Sequence, residues 1–187
     1  MTRCDWAINN ALMQRYHDTV WGRPEYDDRQ LFRKLVLDMN QAGLSWQTIL
    51  NKMANFDQAY DGFDIQTVAR YTEEKVEALM LDAGIIRNRR KIEAAIHNAK
   101  EVIKIQKEYG SFSAFLWQYV DNQPIINHFK TVDEVPTHSA ISDQLAKDLK
   151  KRGFKFVGTT TIYAFMEAVG MVNDHLVTCI CRQEKTT

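Results

Sequence analysis

Apolar residues recur at intervals of three and four along most of the chain, and no stretch shows the strict alternation of a half-buried strand. Capping residues, glycines and prolines divide these repeats into segments. The pattern predicts helices from Asp27 to Gly43, from Ser45 through Phe56, from Thr72 to near Gly84, from about Arg89 to Gly110, from Ser111 or Ser113 through Tyr119, from Ile141 through Leu149, and from Thr159 through Val169. Residues 122–137 are expected to form a long loop, and the aromatic-rich N-terminal residues to wrap around the body. The predicted fold is all-α, in one domain over residues 1–187.

One helical stripe contains a carboxylate where an apolar residue is expected. Leu31, Leu35, Asp38 and Ala42 lie at positions i, i+4, i+7 and i+11, on one face of the helix. Burial of an unpaired carboxylate is costly, so Asp38 must be paired, protonated or available to a ligand. Trp46 begins the next helix after a tight turn. Two interpretations stay open: Asp38 and Trp46 hold a flat ligand with donors on its edge, or Asp38 bridges two helices and Trp46 is core.

Composition narrows the classes of function. The 187 residues are 45% hydrophobic, and 24 basic side chains balance 24 acidic ones, so any nucleic-acid surface has to be a local patch. The sequence has neither a membrane-spanning stretch nor a targeting or lipidation signal, and a cytoplasmic protein without membrane partners is expected. Three cysteines, an odd number, favour a metal site or free thiols over disulfides.

A candidate metal site joins the two ends of the chain. His175 and Cys179 lie four positions apart, which on a helix directs both side chains to one ion. Cys4 and His17 add two ligands of the kinds that zinc prefers, so the four residues form a candidate tetrahedral site that would fasten the N-terminal residues to a last helix. The alternative is free buried thiols and two ordinary histidines. Cys181 falls off the face of His175 and is predicted to take no part.

A basic turn separates the last two predicted helices. Residues 150–158 read KKRGFKFVG and are followed by Thr159 at the start of the next helix. Backbone amides at a helix start, with Lys155 and its basic neighbours, suit an anion near Gly158 and Thr159. The arrangement resembles a helix-hairpin-helix, which grips a DNA phosphate without reading bases. The alternative is a solvated basic loop between two helices.

Several segments, in order along nearly the whole chain, match one bacterial family. They are RCDW at 3–6, YHDTVWG at 16–22, QAGLSW at 41–46, DAGIIRNRRKI at 82–92, LKKRGFKFVGTT at 149–160 and VNDH at 172–175. On these residues the chain resembles the 3-methyladenine DNA glycosylase I family of base-excision enzymes, within the helix-hairpin-helix superfamily. The resemblance implies a helix-hairpin-helix glycosylase bundle in which structural zinc, held by Cys4, His17, His175 and Cys179, joins the N- and C-terminal segments.

The resemblance also implies roles at a base pocket and at the DNA surface. Asp38 is the expected catalytic acid, Tyr16, Trp46, Trp6 and Trp21 are the expected walls of the base pocket, and Gly43 and Leu44 are expected at the tip that probes the DNA gap. The family carries a glutamate at the position of Asp38 and some relatives an aromatic residue at that of Met13. An aspartate carboxylate reaches about 1.5 Å less far, which is roughly one C–C bond.

The implied activity is hydrolysis of the N-glycosidic bond of an N3-alkylated adenine flipped out of duplex DNA, with free 3-methyladenine as product. Other helix-hairpin-helix glycosylases place a catalytic aspartate shortly after the hairpin, where this chain has Asn173. We expect the neighbouring Asp174 to orient His175 instead. A monomer is expected. Two rivals stay open: a protein of this fold that recognises alkylation damage without cleaving it, and a zinc-stapled helical domain that binds a small base or nucleoside.

Overall fold

The computed structural model describes residues 2–182, and within them nine α-helices and one pair of short strands form the fold. The helices are α1 (Ala11–Thr19), α2 (Asp28–Gln41), α3 (Trp46–Ala59), α4 (Ile65–Ala69), α5 (Glu73–Leu81), α6 (Arg89–Tyr109), α7 (Phe112–Trp117), α8 (Ala140–Arg152) and α9 (Thr159–Ala168). Strand β1 (Ile125–Ile126) pairs in parallel with β2 (Val172–Asn173). No helix in this part of the chain is long and apolar enough to cross a membrane.

Side-chain caps fix the starts of the helices that carry the candidate site. The Asn10 side chain accepts a hydrogen bond from the Met13 amide at the start of α1. The predicted starts of α2 and α3 are confirmed. The Asp27 side chain accepts a hydrogen bond from the backbone N–H of Gln30 (2.9 Å), and the Ser45 hydroxyl accepts one from the backbone N–H of Thr48 (3.2 Å).

Helix α2 lies at the centre of the fold, in contact with α3, α6, α7 and α9. Leu31 and Leu35 on its predicted apolar stripe are fully buried. The Lys91 ammonium of α6 donates to the carbonyls of Asn40 (2.7 Å) and Ala42 (2.8 Å) at the end of α2. These bonds satisfy carbonyls that the helix end leaves free and fix the turn into α3.

Helix α1, helix α4 and the strand pair depart from the prediction. The N-terminal residues include a regular helix, α1, whose inward side chains are Met13, Tyr16 and His17. This mixed face hides the aliphatic period on which the prediction depended. Helix α4 and the strand pair were also missed, since elements of five and two residues are too short to show a period.

The prediction of a last helix carrying His175 and Cys179 is wrong. After β2 the described chain runs through turns, and Cys179 forms an isolated parallel bridge with Thr2. The Thr2 amide donates to the Thr178 carbonyl (3.1 Å), and the Ile180 amide donates to the Thr2 carbonyl (2.9 Å). The N-terminal residues are therefore fastened to an irregular C-terminal segment rather than to a helix.

Two groups of buried side chains lie inside the fold. The main core includes all of the long helices. The smaller group lies under the junction of the two chain ends and consists of Cys4, Met13, Tyr16, Trp21, Leu50, Leu176 and Cys179. The predicted single domain over residues 1–187 stays a prediction, because residue 1 and residues 183–187 lie outside the described part.

Candidate functional site

A cavity of about 300 Å³ opens beside α1, α2, α3 and α9, and it brings together side chains from distant parts of the sequence. Its lining includes all five residues predicted for the pocket: Trp6, Tyr16, Trp21, Asp38 and Trp46. A smaller cavity of about 160 Å³ shares Tyr16, Asp38 and Trp46 with it. We call these two spaces the outer cavity and the inner cavity. Asp38 lies where they meet.

The Asp38 carboxylate is buried, and one of its oxygens accepts no hydrogen bond from the described residues. Its side chain is on the helix face that the sequence assigned to the core, and its Oδ2 atom is buried with no hydrogen-bond partner among residues 2–182. Burial raises the pKa of Asp38 from 3.8 to about 8, and the positive charge of Lys34 opposes that rise. The unpartnered oxygen gives no support to the interpretation of Asp38 as a bridge between helices.

Aromatic rings form one side of the outer cavity. The ring centroids of Tyr16 and Trp46 lie 5.1 Å apart at an angle of 48°, and those of Trp6 and Trp21 lie 5.0 Å apart, edge to face. The indole Nε1 of Trp46 is buried and has no partner in the described chain. An aromatic wall beside an unpartnered acceptor and an unpartnered donor is suited to a flat, polar-edged ligand.

Two further acids line the outer cavity. Glu167 of α9 shares a hydrogen bond with Asp174, and burial together with Asp174 raises the pKa of Glu167 well above its ordinary value. The Asp174 carboxylate also accepts hydrogen bonds from the Tyr163 hydroxyl (2.7 Å) and from the side-chain amide of Asn127 (2.6 Å). Burial and Asp174 therefore favour the neutral form of Glu167, and both oxygens of Asp174 are engaged within the protein. Sequence reasoning missed Glu167, although a single acid in the otherwise uncharged helix TTTIYAFMEA was a signal.

The expectation that Asp174 orients His175 is wrong. The residue that does so is Asn173, whose side-chain oxygen contacts His175 Nδ1 (2.8 Å) and also accepts from the His175 amide (3.2 Å). Asn173, the last residue of β2, points to the histidine, while Asp174, which follows the strand, points to Glu167.

A cluster of histidines and cysteines lies behind the aromatic wall. The ligand atoms of His17, His175, Cys179 and Cys181 all lie within 4.8 Å of one another. Three of these four residues were predicted as ligands, whereas the fourth predicted ligand, Cys4, is not among the four. Cys181, expected to take no part, joins the cluster because the irregular backbone after β2 removes the helical spacing on which that expectation rested. The Cys4 thiol is buried and hydrogen-bonded to the Cys179 thiol.

Both imidazoles of the cluster present Nε2 to its centre. His17 Nδ1 is held by Asp18 (2.8 Å), and its Nε2 lies 3.4 Å from the Cys179 sulfur. His175 Nε2 is buried and has no hydrogen-bond partner among the described residues. Burial lowers the pKa of His175 to about 4, which leaves a neutral ring with a free lone pair. Two carbonyl- or carboxylate-anchored imidazoles beside thiols are the donor set that suits Zn²⁺.

Gly22, within the YHDTVWG segment, allows the close approach of the chain to this cluster. Its φ is +71°, and a Cβ added there would lie 2.7 Å from the His175 ring. Sequence reasoning quoted this glycine in a motif but assigned it no role. Only a residue without a side chain fits the position.

The residues predicted to contact DNA lie in two places at the surface. Gly43, with a φ of +80°, and Leu44, which is 41% exposed, form the tip of the turn between α2 and α3. Lys155 is exposed and Gly158 directly precedes α9, in the turn of residues 153–158 that joins α8 to α9. The Thr159 hydroxyl donates to Asp143 (2.5 Å), so that hydroxyl is already engaged within the protein.

The turn between α8 and α9 is braced from α6. Asn98 accepts from the Lys155 amide (2.8 Å) and donates to the Lys155 carbonyl (3.0 Å), and His97 Nε2 contacts the Gly153 carbonyl (2.9 Å). The backbone of Lys155 is thereby fixed while its ammonium stays in solvent. Phe156 is held in a left-handed conformation with a φ of +57°.

Known proteins with similar sequences and structures cover nearly the whole chain. The profile described as methyladenine glycosylase matches residues 6–183. The DNA-3-methyladenine glycosylase 1 of Escherichia coli (strain K12) is 48% identical over 97% of this chain and 97% of its own, and the DNA-3-methyladenine glycosylase of Haemophilus influenzae is 43% identical over 97% and 98%. A crystal structure of 3-methyladenine DNA glycosylase I superposes with a TM-score of 0.94 at 47% identity, over 97% of this chain and all of the other. The structure that describes 3-methyladenine recognition by the Staphylococcus aureus enzyme has a TM-score of 0.94 at 38% identity, over 97% of each chain.

Proposed function

The chain belongs to the methyladenine glycosylase family, and from that premise we propose that it hydrolyses the N-glycosidic bond of 3-methyladenine in alkylated duplex DNA through the outer cavity. The observation that carries this proposal is the buried, unpartnered Asp38 oxygen beside the Tyr16 and Trp46 rings. A flat cation with hydrogen-bond donors on its edge satisfies both features of that site.

The chemistry asks little acid catalysis of the protein. Methylation at N3 makes the adenine of the nucleoside cationic, so the base is already a good leaving group. Flipping places the base in the cavity, where Trp46 stacks on the cation and Asp38 accepts a hydrogen bond from the base edge. The C1′–N9 bond breaks with its electron pair going to the base, which becomes neutral. A water oxygen bonds to C1′ and releases its proton to solvent.

The acid pair of Glu167 and Asp174 is engaged within the protein, and we do not assign it the activation of water. Glu167 has a raised pKa and shares a hydrogen bond with Asp174, whose oxygens also accept from Tyr163 and Asn127. Both oxygens of Asp174 are therefore engaged within the protein. Asp38, whose buried Oδ2 has no partner in the described chain, is the acid that can meet the base edge directly.

Phosphate contacts would come from the surface residues of the turns. The exposed Lys155 and the backbone near Gly158 and the start of α9 support a helix-hairpin-helix grip on one strand, and Gly43 and Leu44 would enter the gap left by the flipped base. Because the chain has no net charge, we expect binding that is modest, independent of sequence and steeply dependent on salt.

Structural zinc fits the cluster behind the pocket. His17, His175 and Cys179 would hold it with the Cys4 thiolate as the fourth ligand. We choose Cys4 over Cys181 because the Cys181 thiol donates to the Asp18 carboxylate (3.5 Å), whereas the Cys4 thiol is hydrogen-bonded to Cys179, which belongs to the proposed ligand set. Zinc would contribute folding free energy, since it joins the two chain ends. The DNA substrate supports a cytoplasmic location, and that location and the monomeric state stay predictions.

The proposal is tested by incubating the full chain with duplex DNA treated with a methylating agent and identifying the released bases by chromatography. The same DNA carries abundant 7-methylguanine, which serves as the internal control. We expect release of 3-methyladenine with 7-methylguanine retained. Retention of both bases by a protein that still binds the DNA would favour the damage-recognition rival, and absence of DNA binding would favour the nucleobase-binding one.

A further inference from the structure

Helix α2 carries a buried cation one turn before the pocket acid. Lys34 is 8% exposed, and its ammonium donates to the Ala168 carbonyl (2.9 Å), the last residue of α9. The carboxyl end of a helix carries partial negative charge and free carbonyls, so it is a favourable anchor for an ammonium. Neither the helical stripe nor the family resemblance assigns a role to Lys34.

Lys34 and Asp38 border the same enclosed space. Both line the inner cavity, together with Ala168, and they are four residues apart on the same side of α2. The ammonium is bonded to Ala168 rather than to the carboxylate, which leaves Asp38 Oδ2 unpartnered. The cation therefore acts on Asp38 through space without occupying its acceptor.

The other ionisable groups near Asp38 do not supply a positive charge that acts on its carboxylate. From α1, Tyr16 presents a phenol whose pKa is raised well above its ordinary value by burial and by Asp38, so it stays neutral. From α9, Glu167 has a pKa raised well above its ordinary value by burial and by Asp174, which favours its neutral form. Arg33, the neighbour of Lys34, is engaged in a two-bond ion pair with Asp57 (2.5 and 2.9 Å). Burial favours the neutral form of Asp38, and Lys34 opposes that effect.

We propose that Lys34 is the internal charge partner of Asp38 and a positioning residue of the base pocket: its anchored ammonium favours the ionised form of the pocket acid while leaving the carboxylate oxygen open to the base. The use of that ionised acid on a cationic base rests on the proposed function. The pairing of Lys34 with Asp38 does not, and it can be measured separately.

The direct test follows the ionisation of Asp38 by carboxyl ¹³C NMR in the full chain. Lys34→Met removes the charge at similar length, and Lys34→Gln also keeps a donor for Ala168 in case the methionine variant does not fold. Both should move the Asp38 midpoint to higher pH, whereas Lys34→Arg should stay near the wild type. The matched control is Lys91→Met, which also removes a buried ammonium from a helix end but at the carbonyls of Asn40 and Ala42. An unchanged midpoint in both neutral Lys34 variants would overturn the proposal, as would an equal shift in Lys91→Met.

The second readout is the pH profile of base release. We expect the neutral Lys34 variants to release 3-methyladenine more slowly than the wild type at neutral pH and to approach its rate as the pH rises. A merely structural role for Lys34 predicts a loss that is the same at every pH, and that result would contradict the proposal. If the wild type releases no base while the midpoint still moves, the proposed function fails and the charge partnership stands.

Discussion

At the scale of single residues, the pocket combines groups that a folded chain ordinarily avoids. Asp38 Oδ2 and Trp46 Nε1 are both buried without partners in the described structure. Each such group destabilises the fold by about 1–3 kcal/mol. A ligand that supplies a donor and an acceptor would remove that cost. Base binding is therefore more favourable than it would be in a pocket whose polar groups already had partners within the protein.

Asp38→Asn is expected to stabilise the protein, and more so as pH rises. Folding raises the pKa of Asp38 from 3.8 to about 8, so between these values the folded state binds the proton more tightly than the unfolded state. This group therefore lowers the free energy of unfolding as pH rises from about 4 to about 8, by at most roughly 1.4 kcal/mol per unit, and no further above that. Urea unfolding of both proteins at pH 5 and pH 8.5 checks the difference. A variant less stable at both values would show that Asp38 makes a structural bond.

Gly22→Ala should weaken the fold more than its backbone conformation alone explains. Both Gly22 and Gly62 have positive φ, +71° and +65°, and alanine at either position costs about 1 kcal/mol or more. A Cβ at Gly62 meets nothing within 4 Å, whereas one at Gly22 meets the His175 ring. Thermal unfolding should therefore show a larger loss for Gly22→Ala, together with lower zinc content. Equal losses for the two variants would mean that His175 moves aside freely.

At the scale of elements, the junction of the chain ends depends on a short backbone bridge and on the proposed metal. Thr2 pairs with the backbone around Cys179, and few other backbone bonds join these segments in the described chain. The helices elsewhere are held by the main core. We therefore expect the N-terminal residues to loosen first when the metal is removed.

Zinc removal and two cysteine variants test this junction. One zinc per chain is expected by elemental analysis, and a chelator should lower the melting temperature. Cys4→Ser should lose the metal and part of the stability, while Cys181→Ser, a change of the same size in the same cluster, should keep both. The opposite pattern would make Cys181 the fourth ligand, and absence of stoichiometric metal in protein prepared without chelator would remove the zinc proposal.

The turn between α8 and α9 is expected to bind phosphate through Lys155. Lys155→Glu should weaken binding about equally on methylated and unmethylated duplex and reduce the dependence of affinity on salt, because a phosphate contact carries no information about the base. Lys155→Arg keeps the charge and should bind like the wild type. Titrations at two salt concentrations measure both effects. A loss confined to methylated DNA would contradict the assignment.

At the scale of the whole molecule, the sequence predicts the elements with plain aliphatic stripes and the residues that carry motifs. The starts of α2 and α3 and the burial of Asp38 follow from local patterns. Helix α1 was hidden because its inward side chains, Met13, Tyr16 and His17, do not form an aliphatic stripe. The meeting of Glu167 with Asp174 depends on how α9 packs against β2, which no local pattern specifies.

The backbone around His175 shows the same limit of prediction from sequence. The pairing of His175 with Cys179 was predicted from helical spacing, and the two side chains do meet, but on an irregular segment. The exchange of roles between Asn173 and Asp174 depends on the direction that each side chain takes at the end of β2. The sequence-based prediction did not include that strand and so could not decide between the two residues.

The most direct test of the central claim, that Asp38 is the acid that holds the alkylated base, is the rate of 3-methyladenine release from methylated duplex by the wild type, Asp38→Asn and Asp38→Glu. A hydrogen bond to a charged group contributes roughly 1.5–3 kcal/mol, so Asp38→Asn should lower kcat/KM by roughly 10- to 150-fold while remaining folded. Asp38→Glu keeps the charge with a longer reach and should release the base at an equal or higher rate. If Asp38→Asn, shown to be folded, released 3-methyladenine as fast as the wild type, Asp38 would not be the acid that holds the alkylated base.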